Sequence, residues 1–256
     1  MEKQGEPYIT PRKLLGDKSL PEAVASCKLA FVCYCPMPFI FDRYKLNIRL
    51  DDRYFIHSHN SHVMFCDYLG SKFIVIAEVY GGPMSVTTVE ELKHYGIKTI
   101  IGIGFVGSLT SRLPTGRIIV AEKALVEPGT TPHYCKNTDI VGPTLQLKMG
   151  GFSQEYVWTT NALYREYKED VETALKFGCS VVNMDTSHLY AACKMLDIAC
   201  EYYAVVSDVI GNDDNCTWDN SLTKAVSENS SPVTTSQADM VLSILAKLSI
   251  NDKKFF

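Results

Sequence analysis

The sequence predicts an α/β protein: a single domain of three layers, α/β/α, built on a central, mostly parallel mixed sheet. Runs rich in branched and aromatic residues alternate with segments of helical period, which is the pattern of a parallel sheet covered by helices. Several of these runs are apolar throughout, as strands buried on both faces require. With 256 residues, 46% of them hydrophobic, the chain is long enough to bury a core without disulfides or a metal.

Seven apolar runs predict the strands of the sheet. In chain order they are Leu29–Cys35, Phe73–Val79, Thr99–Ile103, Arg117–Ala121, Tyr156–Thr160, Ser180–Asn183 and Tyr202–Val206. Segments with apolar residues at helical spacing predict four helices. They are expected between Pro83 and Gly96 and at about Arg165–Phe177, Thr186–Met195 and Ser236–Leu248. Residues 1–28 are expected to form an N-terminal extension, and the polar residues 211–235 a loop.

Charge and composition exclude several classes of function. Lys and Arg number 25 against 29 Asp and Glu, so no broad cationic face is available and no nucleic-acid partner is expected. The longest apolar stretch is interrupted by Pro36 and Pro38 and is too short to span a membrane. The nine cysteines form no C-x-x-C pair, and the N-terminus lacks the apolar core of a secretory signal. We therefore expect reduced thiols and a cytoplasmic protein.

The run Gly102–Gly107 matches the G-x-G-x-x-G pattern of dinucleotide-binding proteins. In those proteins a helix follows the glycines and binds the pyrophosphate at its N-terminus. Here Pro114 and Gly116 follow, and the chain leads directly into another predicted strand. We therefore expect a glycine-rich strand end over which a small ligand approaches the backbone, and no dinucleotide.

Four segments carry residues suited to nucleoside chemistry. They are Tyr80–Pro83 with Glu90–Leu92, Thr99–Leu109, Thr159–Tyr164, and Val182–Thr186 followed by Ser207 and Asp208. Together they resemble the nucleoside phosphorylase superfamily, which includes purine nucleoside phosphorylases, uridine phosphorylases and adenosine-type nucleosidases. Glu127–Tyr134 and Trp158–Glu166 are similar to a less characterised branch of it. The resemblance implies one nucleoside phosphorylase-like domain over residues 1–256 and a homo-oligomer that acts on a small-molecule nucleoside.

The resemblance assigns ribose binding to Met184 and Asp185, and general-acid catalysis to Asp208. A carboxylate can accept hydrogen bonds from both ribose hydroxyls while a thioether lies against the apolar face of the sugar. Asp208 would protonate a purine ring nitrogen as the glycosidic bond breaks through an oxocarbenium-like transition state. Plainer roles remain open: Met184 as a core side chain, Asp185 as a helix cap, and Asp208 as a turn residue.

Two further groups of residues take their expected roles from the same resemblance. Base binding is assigned to Thr160, Asn161, Tyr164 and Arg165, and the superfamily has an aspartate at the position of Asn161. A pocket of backbone groups that faces the nucleophile is assigned to Gly81, Gly82, Gly104 and Phe105. At the start of a predicted helix, Arg165 could equally be a solvated charge.

The residues that deliver phosphate in the superfamily are missing. Its phosphorylases use one arginine after the first strand and another before the Gly-x-x-Gly turn, because a dianion needs donors and positive charge. This chain has Cys35–Phe39 at the first place and Gly102 at the second, so phosphorolysis would need substitutes from among Arg43, Arg49 and Arg53. Hydrolytic relatives activate water with a glutamate, for which Asp42 is a weak stand-in.

His57, His59 and His62 lie close together in the sequence and raise the question of a metal. No carboxylate or thiol pattern completes a ligand set, so we expect no metal and no cofactor, with phosphate as an optional co-substrate. The resemblance allows one of these histidines to donate to the 5′-hydroxyl of a sugar. An exposed polar turn is the plain alternative.

We therefore expect an enzyme of nucleoside metabolism, such as purine salvage, that cleaves the N-glycosidic bond of a purine nucleoside. The Ser207–Asp208 pair favours purines, because uridine-type relatives lack that acid. Phosphorolysis and hydrolysis both remain open. The alternative function is a catalytically silent nucleoside-binding protein that has lost the phosphate clamp.

Overall fold

A mixed sheet with helices packed on it forms the three-layer α/β/α domain that the sequence predicts. The structure, a computed structural model, describes residues 7–50, 52–210, 221, 223 and 231–250. Its strands are β1 (Leu29–Tyr34), β2 (Val63–Tyr68), β3 (Ser71–Ile76), β4 (Thr99–Ser108), β5 (Ile118–Leu125), β6 (Ile140–Val141), β7 (Ser153–Thr159), β8 (Val181–Asn183) and β9 (Ala199–Val209). Its helices are α1 (Pro11–Leu15), α2 (Gly81–His94), α3 (Lys168–Lys176), α4 (Thr186–Met195) and α5 (Pro232–Ile250).

The sheet has an open half and a closed half. In the open half, β1 lies between β3 and β4 and is parallel to both, while β2 pairs antiparallel with β3. In the closed half, pairings lead from β4 to β9, β5, β7, β8 and back to β4, which makes a ring of five strands. Strand β6 pairs with β5. The long strand β4 belongs to both halves and joins them.

At Gly107, strand β4 is flanked by the two strands that carry the predicted acids. Gly107 pairs with Val182 of β8 and with Asp208 of β9. A Cβ on Gly107 would stand 3.2 Å from Val182 Cγ1 and 3.4 Å from Asp208 Oδ2, so both side chains converge on this glycine. The register between β4 and β9 shifts at Val106/Gly107, an irregularity of the kind that re-aims side chains next to functional sites. Strand β8 runs antiparallel to β4 and β9 runs parallel to it, so Gly107 lies between the strand that leads to Asp185 and the strand that carries Asp208.

The helices that position the site are started and stopped by recognisable residues. Helix α2 has Pro83 in its first turn, where a missing N–H costs nothing, and Gly96 with a φ of 84° follows its end. Helix α4 packs against α2 and against β9, and α5 packs against β9. Among the described residues, no helix is both long enough and apolar enough to cross a membrane.

The core is continuous beneath the open half of the sheet. Phe31 of β1 packs against Phe41 and Phe73 with ring centroids 5.2 Å away in each case. Ile244 and Leu248 of α5 are completely buried in the same core. Burying side chains of this size contributes about 1.5–3 kcal/mol each. This packing holds the strand ends at the site in place.

The predicted fold class is confirmed, and each predicted strand and helix has a counterpart. The predictions omitted α1, β2 and β6, and ended β4 and β9 several residues early. The Gly102–Gly107 run lies inside β4, and residues 109–117, which follow it, contain no helix.

Two predicted boundaries are wrong. Arg165 lies in a short 3-10 turn, Leu163–Arg165, and helix α3 begins only at Lys168 because Glu166 and Tyr167 have the non-helical ψ values 84° and 154°. Residues 232–235, which the sequence placed in the loop, form the first turn of α5, where Pro232 is the first helical residue. The rest of the predicted loop lies outside the described residues except for 221, 223 and 231. In the predicted N-terminal extension, Leu20, Val24 and Cys27 are buried in the core.

Candidate functional site

Asp185 is buried at the end of β8, with its carboxylate directed at the start of helix α2. Its Oδ1 accepts a hydrogen bond from the backbone N–H of Gly81 over 3.2 Å. Gly81 has a φ of 74°, which a residue with a side chain rarely adopts, so glycine is needed to present that N–H. The two residues, predicted in separate parts of the site, are therefore in direct contact.

The carboxylate of Asp185 does not serve as a cap for helix α4. The side chain of Asn183 does so instead: its Oδ1 accepts hydrogen bonds from the N–H groups of Asp185 and Thr186, over 3.2 and 3.3 Å. Burial raises the pKa of the Asp185 carboxyl to about 8, against the opposing effect of N–H donors from Gly81 and Met184. A buried acid with a shifted pKa that is not needed for the helix is a candidate for ligand binding.

Met184 precedes this acid and is half-buried. It is absent from both hydrophobic clusters formed by the described residues, so a role as a core side chain is not what its environment indicates. A flexible thioether beside a buried carboxylate suits contact with the apolar face of a sugar.

Asp208 is 6% exposed and lies at the end of β9. The hydroxyl of Ser207 donates to its Oδ1 over 2.6 Å, which fixes the orientation of the carboxylate. A methyl group on Gly107 would stand 3.4 Å from Asp208 Oδ2, so the glycine leaves room for the acid. Burial, and then the charge of Asp208, raise the pKa of Glu166 to about 7. The site therefore holds a second carboxyl that interacts with Asp208.

Asn161 connects the start of helix α2 to a buried histidine that the sequence analysis did not identify. Its Oδ1 accepts from the N–H of Gly82 over 3.4 Å and lies 3.2 Å from His188 Nε2. A Cβ on Gly82 would stand 2.6 Å from Thr130 Oγ1 and 2.9 Å from His188 Cε1, so the segment 127–131 packs directly on this glycine. The local sequence of His188 gives no clear signal, because helix α4 also contains the polar residues Thr186, Ser187 and Lys194.

A family model described as the phosphorylase superfamily matches residues 30–245. The chain belongs to the phosphorylase superfamily. It is 52% identical over 245 residues to the uncharacterized protein R802 of Acanthamoeba polyphaga mimivirus. The aligned residues cover 94% of this chain and 98% of that protein.

Solved structures show the same fold at low sequence identity. The uridine phosphorylase from Vibrio fischeri superposes with a TM-score of 0.68 at 17% identity, over 87% of this chain and 92% of that one. The 5′-methylthioadenosine/S-adenosyl homocysteine nucleosidase from Campylobacter jejuni gives a TM-score of 0.68 at 12% identity, over 88% and 99% of the two chains. The resemblance that the sequence motifs indicated is confirmed.

The structure explains why the second superfamily arginine has no counterpart at Gly102. A Cβ there would stand 2.5 Å from the ring of Tyr202 and 2.7 Å from Leu189. At Gly104 a Cβ would stand 1.9 Å from the Tyr202 hydroxyl. The tyrosine fills the space above both glycines, so no larger side chain fits at either position. Phe105, the residue after Gly104, is half-buried and packs on the core.

The predicted base-binding residues of this superfamily member are only partly brought together. The N–H of Thr160 donates to the carbonyl of Asn183, which places it beside the ribose segment. Tyr164 is 88% exposed, and Arg165 is exposed and donates to the Tyr164 carbonyl. Their neighbour Glu166 interacts with Asp208.

Arg53, one of the three candidate phosphate ligands, lies away from the start of helix α2. It is near Glu91, which is ten residues and about 15 Å along the helix from Gly81. His57 and His59 are exposed, and His62 Nε2 lies 3.7 Å from Glu78 Oε2. In the described part of the chain, no three His, Cys, Asp or Glu side chains form a group able to hold a metal ion.

A surface cavity of about 690 Å³ lies next to this site rather than within it. Its walls include Leu125, Pro128, Trp158 and Thr159, but neither Asp185 nor Asp208. Thr159 is shared with the buried network, since its Oγ1 accepts from the N–H of Ser187 over 3.1 Å.

Proposed function

We propose that this protein cleaves the N-glycosidic bond of a purine nucleoside, with Asp208 as the general acid toward the base. The observation that carries the proposal is the arrangement of two buried carboxylates, Asp185 and Asp208, at the ends of the strands that flank Gly107. Membership of a superfamily of phosphorylases supports the reaction class. The choice of purine rests on Asp208, because a carboxyl can protonate a purine ring nitrogen.

In the proposed reaction, the two acids act on opposite sides of the bond. Asp185 accepts hydrogen bonds from the ribose hydroxyls, and Met184 lies against the sugar, so the developing oxocarbenium ion is held in place. Asp208 donates a proton to the base, which then leaves as a neutral molecule. Glu166 faces Asp208: burial and the charge of Asp208 raise the pKa of the Glu166 carboxyl to about 7.

The nucleophile is phosphate or water. Tyr202 fills the space at Gly102, so phosphate would need other ligands, and Arg43 and Arg49 remain the candidates. Gly81, Gly82, Gly104 and Phe105 remain the proposed pocket on this side. Thr160, Asn161, Tyr164 and Arg165 remain the proposed base contacts, where Tyr164 is exposed and available for stacking. We propose no metal and no organic cofactor.

A second candidate function is nucleoside binding without turnover. Two observations favour it: the filled space at Gly102, and Asp185, which is one methylene shorter than the glutamate of the superfamily. Either function is proposed for a homo-oligomer in the cytoplasm. Light scattering of the purified protein measures the number of subunits directly.

The experiment that separates these functions follows base and sugar products by chromatography. Purified protein is incubated with purine and pyrimidine nucleosides, with and without inorganic phosphate. Release of base with sugar 1-phosphate, only when phosphate is present, indicates phosphorolysis; release without phosphate indicates hydrolysis. Calorimetric binding of a nucleoside without release of base would support the binding protein and contradict the enzyme.

A further inference from the structure

His188 lies at the centre of a buried chain of hydrogen bonds next to the proposed ribose site. Its side chain is completely buried. Nδ1 is 2.8 Å from Thr131 Oγ1, and Nε2 is 3.2 Å from Asn161 Oδ1. Thr131 Oγ1 is in turn 2.8 Å from Ser187 Oγ. The reaction proposed above uses Asn161 but gives no role to His188, Thr131 or Ser187.

The direction of these hydrogen bonds follows from the two backbone donors at their ends. The N–H of Gly82 donates to Asn161, so the atom it meets must be the amide oxygen. That oxygen can only accept, and His188 Nε2 must therefore carry a hydrogen and donate to it. At the other end, the N–H of Glu127 donates to Ser187 Oγ over 3.2 Å.

The remaining hydrogens are then determined. Burial lowers the pKa of His188 to about 4, although the charge of Glu127, 4.0 Å away, opposes this. The imidazole is therefore neutral near pH 7, and Nδ1 accepts from the hydroxyl of Thr131. Thr131 in turn accepts from Ser187. The Glu127 carboxylate accepts from the N–H groups of Gly129 and Thr130, over 2.9 and 2.8 Å, and so holds the segment that carries Thr131.

The consequence for Asn161 is that its amide group has one orientation. The oxygen is held by Gly82 and His188, so the nitrogen faces away from them. No described residue accepts a hydrogen bond from that nitrogen, and Asn161 is exposed. A Cβ on Gly81 would stand 3.9 Å from the amide oxygen, and Gly81 itself donates to Asp185. Asn161 and the proposed ribose acid are therefore neighbours, because the adjacent N–H groups of Gly82 and Gly81 donate to Asn161 and to Asp185.

We propose that Asn161, assigned above to the base, instead donates a hydrogen bond to a ribose hydroxyl oxygen of the substrate, and that His188 is a positioning residue that fixes its amide in the donating orientation. The inference rests on the proposed function and adds a determinant of sugar specificity to it. Asp185 accepts from the sugar hydroxyls while Asn161 donates, so a hydroxyl that meets both is recognised in both of its hydrogen-bonding roles. An aspartate at position 161 could not donate.

The first test compares a ribonucleoside with its 2′-deoxy and 3′-deoxy analogues. For Asn161→Asp we expect KM for the ribonucleoside to rise about tenfold, and KM for the analogue that lacks the recognised hydroxyl to change less than about twofold. His188→Leu should show the same selective rise in KM. His188→Gln, which keeps one donor and one acceptor, should return the KM for the ribonucleoside toward the wild-type value. Exposed Asn137→Asp is the matched charge control.

Outcomes of this test separate the inference from the function on which it rests. If the variants lose affinity equally for all three sugars, the inference is overturned while the proposed function stands. If the wild type neither releases base from nor binds any nucleoside, both are overturned. If it binds without turnover, the same comparison is made with dissociation constants from calorimetry.

The second test is independent of activity. Nitrogen-15 NMR of histidine-labelled protein near pH 7, with His188→Gln to assign the signal, reports which ring nitrogen carries the hydrogen. A neutral ring protonated at Nε2 supports the proposed orientation of Asn161. Protonation at Nδ1 would overturn it, because Nε2 would then accept from an amide turned the other way.

Discussion

Asp185 shows how a single residue of the site costs stability. Its carboxyl is buried, and its pKa is raised to about 8. Between about pH 4 and about pH 8 the folded protein therefore binds more protons than the unfolded chain, and stability falls as pH rises through this window. An uncharged side chain of similar shape would avoid this cost, and the proposed role of Asp185 in ribose binding accounts for the presence of a carboxyl.

The substitution Asp185→Asn tests this account of the residue. We expect the variant to be more stable than the wild type by at least about 1 kcal/mol at about pH 8, and by much less at about pH 5, because the carboxyl is already protonated there. Its turnover of nucleoside should fall at the same time. Thermal unfolding at the two pH values measures the effect, and Asp239→Asn, exposed on α5, is the control. A stability change that is equal at both pH values would contradict the raised pKa.

Gly104 is a second residue whose identity is set by one contact. A Cβ there would overlap the hydroxyl of Tyr202, which stands 1.9 Å away. We expect Gly104→Ala to lower the free energy of unfolding by about 1–3 kcal/mol, because the packed ring cannot move aside without strain. Tyr202→Phe in the same chain should recover part of the loss. Gly150→Ala, where no atom lies within 4 Å of the added carbon, is the control, and equal effects at the two glycines would contradict this explanation.

At the scale of elements, one ion pair joins strand β7 to the loop after β4 and to the start of β8. Arg112 donates to both oxygens of buried Glu155, over 2.9 and 2.7 Å, and the hydroxyls of Ser153 and Ser180 also donate to that carboxylate. Burial opposes ionisation of Glu155, but these donors outweigh it and lower its pKa. The pair therefore stabilises the ring of strands wherever Glu155 is ionised.

Removal of the arginine should weaken this junction. For Arg112→Ala we expect a loss of about 1–3 kcal/mol near pH 7, because a buried carboxylate keeps only its hydroxyl donors. The loss should shrink as pH falls below the ordinary glutamate pKa of 4.5, because the carboxyl becomes protonated in acid and the contribution then disappears in the wild type as well. Chemical unfolding at several pH values measures it. A loss of the same size in exposed Arg117→Ala would show that the ion pair is not the cause.

The strand residues that the sequence failed to predict were missed for two different physical reasons. The β2–β3 hairpin turns at Leu69 and Gly70, with φ values of 56° and 86°. A leucine in that conformation gives no turn signal. From the local sequence, the polar residues Ser207 and Asp208 predict the end of a strand. Strand β9 continues through them because β4 supplies hydrogen-bond partners for its backbone.

At the scale of the whole molecule, motifs predicted the acids but not the network that surrounds them. Asp185 and Asp208 were predicted from short segments, and both are buried, one just after β8 and the other near the end of β9. Their roles, and the base contacts of Tyr164 and Arg165, stay predictions. His188 could not be predicted, because Thr131, Asn161 and the histidine come from three separate parts of the chain and meet only when the ring of strands closes.

The turnover of Asp208→Asn tests the central claim most directly. With the purine nucleoside that the wild type cleaves fastest, we expect kcat to fall about 100-fold or more, because asparagine cannot protonate the base. Unfolding temperature should change by less than about 2 °C, as for the exposed control Asp239→Asn, which keeps the wild-type rate. A variant that folds normally and releases base at the wild-type rate would contradict general-acid catalysis by Asp208.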